Sequence, residues 1–330
     1  MMQPLIHVQI FPIDKMKNDM RITMRKTFLI GIMLTAQLAF SQEKKVAADI
    51  ARVMDAARKG EMALPDNMVY AEENIRFALE STLPYVRDTN TLVRNQSYQI
   101  IHKIGRNTQN TNETLRCVEA LSRACHDIDP GIALYASRSL AKYQREFFSD
   151  KAKESIETAL FPKSKTLPYV AQLTGYLGLA AGIERLHSIA TDNTESLKNK
   201  WYTHLALART GDKTSINYCL AVYISQETNE EVVEEMIPDL LYTRQKDIYD
   251  EVVKILYRDD KACLSGNPNI ERRIHCGYRV MEQLGPYIDG FPLETHASGA
   301  IKGGDYDRAL EKLRVWFGEN KKYLIIDNSF

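Results

Sequence analysis

Between residues 229 and 245 the chain reads NEEVVEEMIPDLLYTRQ, and its apolar side chains Val232, Val233, Met236, Ile237, Leu240 and Leu241 recur as adjacent pairs four residues apart. That interval is close to one helical turn, so the pairs form one broad stripe, wide enough for burial on two sides. The following segment repeats the spacing with Ile248, Tyr249, Val252, Val253 and Leu256, which predicts a second helix at once. Asp129-Pro130 supplies an N-cap followed by a proline in the first turn of another. No alternating run of strand length stands out beyond the N-terminal segment, so an all-α chain is expected.

The helices repeat. TLVRNQSYQIIHKIG closes at Gly105, TLPYVAQLTGYLG at Gly178, NKWYTHLALARTG at Gly211 and RRIHCGYRVMEQLG at Gly285. Counting back from each glycine, one position holds Ser97, Val170, Thr203 or Gly277, a second holds Ile101, Thr174, Leu207 or Met281, and a third holds Ile104, Leu177, Thr210 or Leu284. PGIALYASRSLAKY is a further copy that ends without the glycine, aligning Ala136, Leu140 and Tyr143 with Ser97, Ile101 and Ile104. The periods are about 39, 34 and 33 residues, which predicts stacked helical hairpins. The mostly small residue inside each helix admits a close neighbour, and the closing glycine is expected to take the left-handed conformation that stops the helix.

Leu92-Val93-Arg94 with Ser97, Ile100, Ile101, Ile104 and Gly105 resembles the second helix of a HEAT repeat. Ala206-Leu207 with Thr210-Gly211-Asp212, Ile216 and Leu220 is similar to the shorter HEAT-like repeat first associated with phycobilin lyases. The resemblance covers roughly residues 72–285 and departs from the pattern at Gln144 and Gln245, where glycine is missing. It implies an α-α superhelix, a solenoid of about five or six HEAT-like hairpins that binds through its concave face. Lyase-type catalysis is the one enzymatic association it carries.

The rest of the chain divides around that stack. Met24-Arg25-Lys26 precedes TFLIGIMLTAQLAF, an apolar run suited to a signal peptide and short of the roughly 20 residues that span a bilayer. Cleavage is expected after Ser41, and Met24 is a candidate start of translation. Residues 1–41 are therefore read as an N-terminal extension and signal peptide, 42–71 as a capping helix and linker, 72–290 as the solenoid and 291–330 as a loop and C-terminal capping helix. In that last helix Leu310, Leu313, Val315, Trp316 and Phe317 are expected to cover the final repeat. The loop THASGAIKGGD lacks the preceding strand and glycine spacing of a phosphate cradle, and is read as a connection. The mature protein is expected in the periplasm or the secreted fraction.

Removing the leader takes Lys15, Lys17, Arg21, Arg25 and Lys26 but only Asp14 and Asp19, which turns a neutral chain slightly acidic. That balance speaks against a dedicated nucleic-acid binder. The cysteines form no C-x-x-C and no zinc spacing with histidine, so neither metal nor cofactor is expected. Cys263 and Cys276 are candidates for a disulfide around LSGNPNIERRIH, and Cys219 falls on an apolar helix position. The common nucleotide, hydrolase, metalloprotease and calcium motifs are missing. His102, His204 and His275 lie within repeat helices, and His187 and His296 stand alone.

One surface pattern remains. The repeat helices place Lys103, Arg138, Lys142, Arg209 and Arg279 at positions one turn apart, so stacking predicts a basic ladder that docks an acidic protein partner. The expected function is an exported, non-catalytic scaffold. The alternative is an enzyme or enzyme subunit, lyase-like or acting on an envelope glycan, with its site on loops.

Overall fold

The computed structural model describes residues 41–259, 261–265, 272–296 and 298–330. Residues 1–40, which hold all but the last residue of the expected leader, lie outside them. The described chain is all-α. A first helix, α1, covers 41–58. It is followed by α2 (Ile75–Thr82), α3 (Thr91–Asn107), α4 (Thr111–Ala124), α5 (Pro130–Leu140), α6 (Asp150–Thr158) and α7 (Leu167–Leu177). Then come α8 (Ala180–Thr191), α9 (Leu197–Arg209), α10 (Lys213–Ile224), α11 (Ile237–Tyr242), α12 (Lys246–Val253), α13 (Cys276–Leu284) and α14 (Tyr306–Glu319). Among the described residues, extended pairing is confined to isolated bridges, such as Cys263 with Ile274 and Ile288 with Ile325.

Successive helices pair as hairpins, and the hairpins stack. Each odd-numbered helix from α3 to α13 packs on the next odd one, and α2, α4 and α6 adjoin their even neighbours behind them. The result is a two-layered solenoid whose core runs between the layers as one continuous apolar cluster. The repeat positions read from sequence fall in that core, since Ser97, Val170, Thr203, Ile101, Leu207 and Met281 are all buried. At a close crossing Gly175 of α7 meets α9, where an added Cβ would lie 2.5 Å from the Ala206 carbonyl oxygen.

Local chemistry sets the helix ends. Asn90 accepts hydrogen bonds from the Leu92 and Val93 N–H groups, Asn110 does the same for Asn112 and Glu113, and Asp129 for Gly131 and Ile132. Each such cap satisfies orphan donors and stabilises its helix by about 1 kcal/mol. Gly178 and Gly211 adopt the expected left-handed conformation, with φ of 63° and 91°. Gly105 does not, because α3 continues through it to Asn107. It is small for packing instead, as an added Cβ would stand 2.6 Å from the Tyr143 hydroxyl. Gly285 has a right-handed φ of −50° and leads into a short 3-10 turn.

The helix expected over 229–245 forms with a π-turn at Val232–Met236 before α11. Pro238 explains the defect, since it has no N–H to donate back one turn and its ring crowds the preceding carbonyl. Both ends of the stack are covered. Val46, Ile50, Val53 and Met54 of α1 are buried, and the Ser97 hydroxyl lies 3.6 Å from the Met54 sulfur. At the other end Leu310, Leu313 and Phe317 of α14 are buried and Trp316 is half-buried, whereas Val315 faces solvent.

Two bonds tie segments across the stack. Cys263 and Cys276 form a disulfide, which holds the segment before α13 to that helix. Arg94 of α3 makes a bidentate pair with Asp127 at the start of the next repeat, at 2.9 and 2.8 Å, with both side chains buried.

Candidate functional site

The five residues of the expected ladder differ in exposure and in partners. Lys103 on α3 is exposed, with its ammonium 3.9 Å above the Tyr70 ring. Arg138 on α5 is exposed, stacks 4.7 Å over Tyr169 and donates to its hydroxyl. Lys142 is exposed in the turn after α5. Arg279 on α13 is neutralised by Glu234 at 2.6 Å and by Glu282 at 3.8 Å. Arg209 corrects the expectation outright: its side chain is only 2% exposed. It sits in the last turn of α9, so its stem runs past the helix end and into the gap between repeats.

What the odd layer does present is aromatic. Tyr135 on α5, Tyr169 on α7, and Trp201 and Tyr202 on α9 are each half-buried along it. At one end Tyr70, Gln99, Lys103 and Tyr135 line a cleft of about 460 Å³. His102 lines it too, with Nδ1 3.0 Å from the Tyr135 hydroxyl. Burial, with Lys142 and Arg106 nearby, pushes the His102 imidazole down to about 4, so it is neutral at ordinary pH. Further along, Lys198, Trp201, Tyr202, Glu235 and Asp239 line a second cleft of about 380 Å³. The Asp239 carboxylate accepts from Trp201 Nε1 at 2.9 Å. Burial raises that carboxyl to about 6, against hydrogen bonds from Trp201 and Tyr202 that pull it down.

A second constellation lies at the C-terminal ends of the odd helices. Arg106 at the end of α3 donates to the Lys142 carbonyl. Arg145, beyond α5, donates through Nε to the Tyr176 carbonyl at 2.7 Å, and its guanidinium lies 4.8 Å from that tyrosine's ring. Arg209 donates to the Tyr242 carbonyl at 2.6 Å, and its guanidinium lies 4.8 Å from the Tyr242 ring. Arg244 donates to the Leu241 carbonyl and lies 3.8 Å over Tyr287. A cation at a helix C-terminus satisfies orphan carbonyls and complements the helix dipole, so this is a ledge of arginines capping helix ends and leaning on tyrosines.

Residues 324–330 cross that ledge as an extended strap. Ile326 N–H donates to the Tyr287 carbonyl at 2.9 Å, and Asp289 N–H to the Leu324 carbonyl at 3.0 Å. Asp327 lies 2.7 Å from Arg209 and 3.1 Å from Arg145. Arg209 also donates to the Ser329 carbonyl at 2.7 Å, and Arg244 to the Phe330 main-chain oxygen at 3.1 Å. The Phe330 ring packs 5.5 Å from Tyr176 and 5.2 Å from Tyr242.

Sequence reasoning placed Arg209 on the wrong surface and missed the ledge and its strap. A signal existed: Tyr143 and Tyr176 are 33 residues apart, as are Arg209 and Tyr242, which matches the repeat period.

The free cysteines Cys117, Cys125 and Cys219 are all buried. The Cys117 and Cys219 thiols are pushed up to about 12 by burial, and Cys125 to about 11, so they stay protonated. Among the described residues no group of three or more His, Cys, Asp or Glu side chains is placed to hold a metal ion. None of the described helices is long and apolar enough to cross a membrane. No protein-family model matches this sequence, and no curated protein is similar to it.

Proposed function

We propose that this protein is an exported, non-catalytic scaffold of the HEAT-like kind, and that the odd-helix face binds an acidic protein partner. The observation that carries the reading is the pairing of exposed cations with half-buried tyrosines on that face, Lys103 on Tyr70 and Arg138 on Tyr169. Tyrosine, tryptophan and arginine are the residues that anchor protein interfaces, because they offer large contact area with a polar or charged end. Export rests on the segment Met24 to Ser41 and is supported by the Cys263–Cys276 bond, which suits an oxidising compartment.

The test is a paired charge reversal, Lys103→Glu with Arg138→Glu. The native chain is expected to retain an acidic partner from envelope fractions at low salt and to release it as ionic strength shortens the Debye length from about 10 Å towards 3 Å. The double variant should lose that partner while its melting temperature stays within a few degrees of native, since exposed charges contribute less than about 1 kcal/mol. Equal recovery by both chains would sink the reading.

A second reading, action on an envelope glycan, is favoured by one observation: Asp239 and Glu235 share a cleft with Trp201 and Tyr202. Against it, the Asp239 carboxylate is already engaged by Trp201 and Tyr202. Glycan hydrolysis that disappears in Asp239→Asn would establish it.

A further inference from the structure

The strap over residues 324–330 is less well matched to its ledge than a permanent brace would be. Arg145, Arg209 and Arg244 converge there, and among the described residues the one side-chain carboxylate paired with any of them is Asp327. Arg209 and Arg244 are more than nine-tenths buried, and the Nε of each has no hydrogen-bond partner. Buried guanidinium groups without full compensation are costly, and they favour whatever brings further acceptors. The strap itself is loosely covered: the Asp327 side chain is half exposed and Leu324 is more so. Its main-chain bonds to Tyr287 and Asp289 lie at the near end, and among the described residues its far end is held through Asp327, Ser329 and Phe330.

We infer that the ledge is a peptide-recognition site for a protein partner, and that the strap is its built-in competitor. This site lies on the helix ends rather than on the odd-helix face, and the inference stands whether or not that face binds anything. The occupant's chemistry can be read from the strap. It is an extended segment with a carboxylate bridging Arg145 and Arg209, and an aromatic side chain three residues later between Tyr176 and Tyr242. A second carboxylate beside that aromatic residue would meet Arg244, which pairs with no side-chain carboxylate among the described residues. A tethered strap competes at an effective concentration of the order of millimolar, so a partner segment must either bind more tightly or meet a loosened strap.

The experiment uses the full chain in native form and with Asp327→Ala and Phe330→Ala together, titrated with a fluorescein-labelled peptide LIIDNSF and watched by anisotropy. The peptide is expected to bind the double variant at least about tenfold more tightly than the native chain, because the internal competitor is weakened. Binding should fall again when Arg145→Ala is added, and a peptide with alanine at its aspartate and phenylalanine should not bind. If the double variant proves unfolded by circular dichroism, Asp327→Ala alone replaces it with the same expected direction. Equal affinity for native and variant chains, or no binding to either, would show the strap to be a structural brace and overturn the inference. A native chain that sediments as a dimer, and becomes a monomer in Asp327→Ala, would make a second copy the occupant and remove the partner.

Discussion

His102 and Asp239 are displaced in opposite ways by the same cause. Burial favours the neutral form of each, so the imidazole is pushed down to about 4 and the carboxyl up to about 6. Between those values the unfolded chain holds more protons at residue 102 than the folded one does, so this term makes stability rise with pH. At residue 239 the folded chain holds more protons than the unfolded one, so this term makes stability fall with pH. Each is of the order of 2 kcal/mol, and over about pH 4 to 6 they oppose one another. Relative to the native chain, Asp239→Asn should therefore gain stability more steeply as pH rises, and His102→Gln should lose it. Urea midpoints taken across that range decide the matter, and slopes that match the native chain in both variants would show that neither group is shifted. Both residues were visible in the sequence, but the burial that shifts them comes from side chains in neighbouring repeats.

The helices themselves were legible, because a 3.6-residue apolar period and N-caps such as Asp129 act within a few residues. What sequence could not separate was two uses of glycine. Gly178 is left-handed with open space around it, whereas Gly105 is right-handed inside α3 and pressed against Tyr143 and Cys117. Alanine at Gly178 should cost about 1 kcal/mol through its backbone conformation, and asparagine there should cost less. Alanine at Gly105 gains helix propensity but overpacks, for a net loss of about 1 to 3 kcal/mol, and asparagine should be worse still. Thermal unfolding of the four variants tests this, and a stabilised Gly105→Ala would mean that the crossing has slack. The arginine ledge escaped for a related reason. Its members lie at or just past helix ends, where periodicity has stopped, and each pairs with a tyrosine one repeat away.

A stack of hairpins bonded only to its neighbours should unfold piecemeal, since its stability is close to a sum of local terms. This chain adds long-range ties. Asp327 reaches Arg145 across 182 residues and Arg209 across 118, and Phe330 reaches Arg244 across 86. The strap thereby couples the ends of α5, α9 and α11, which belong to three different repeats. The Arg145 pair is half exposed on both sides and contributes roughly 1 kcal/mol or less, whereas Arg209 is buried and would be left short of an anion without Asp327, so the strap should act on stability as well as on cooperativity. The two tryptophans, Trp201 in α9 and Trp316 in α14, report on the later repeats, whereas helicity reports on the whole stack. In native protein, urea transitions followed by tryptophan fluorescence and by circular dichroism should coincide, as a single cooperative unit requires. With Asp327→Ala and Phe330→Ala the fluorescence transition should move to lower urea and the circular dichroism transition should broaden, with a smaller apparent slope. Coincident transitions in both proteins would show that neighbour contacts alone carry the cooperativity, and that the strap does not join the repeats.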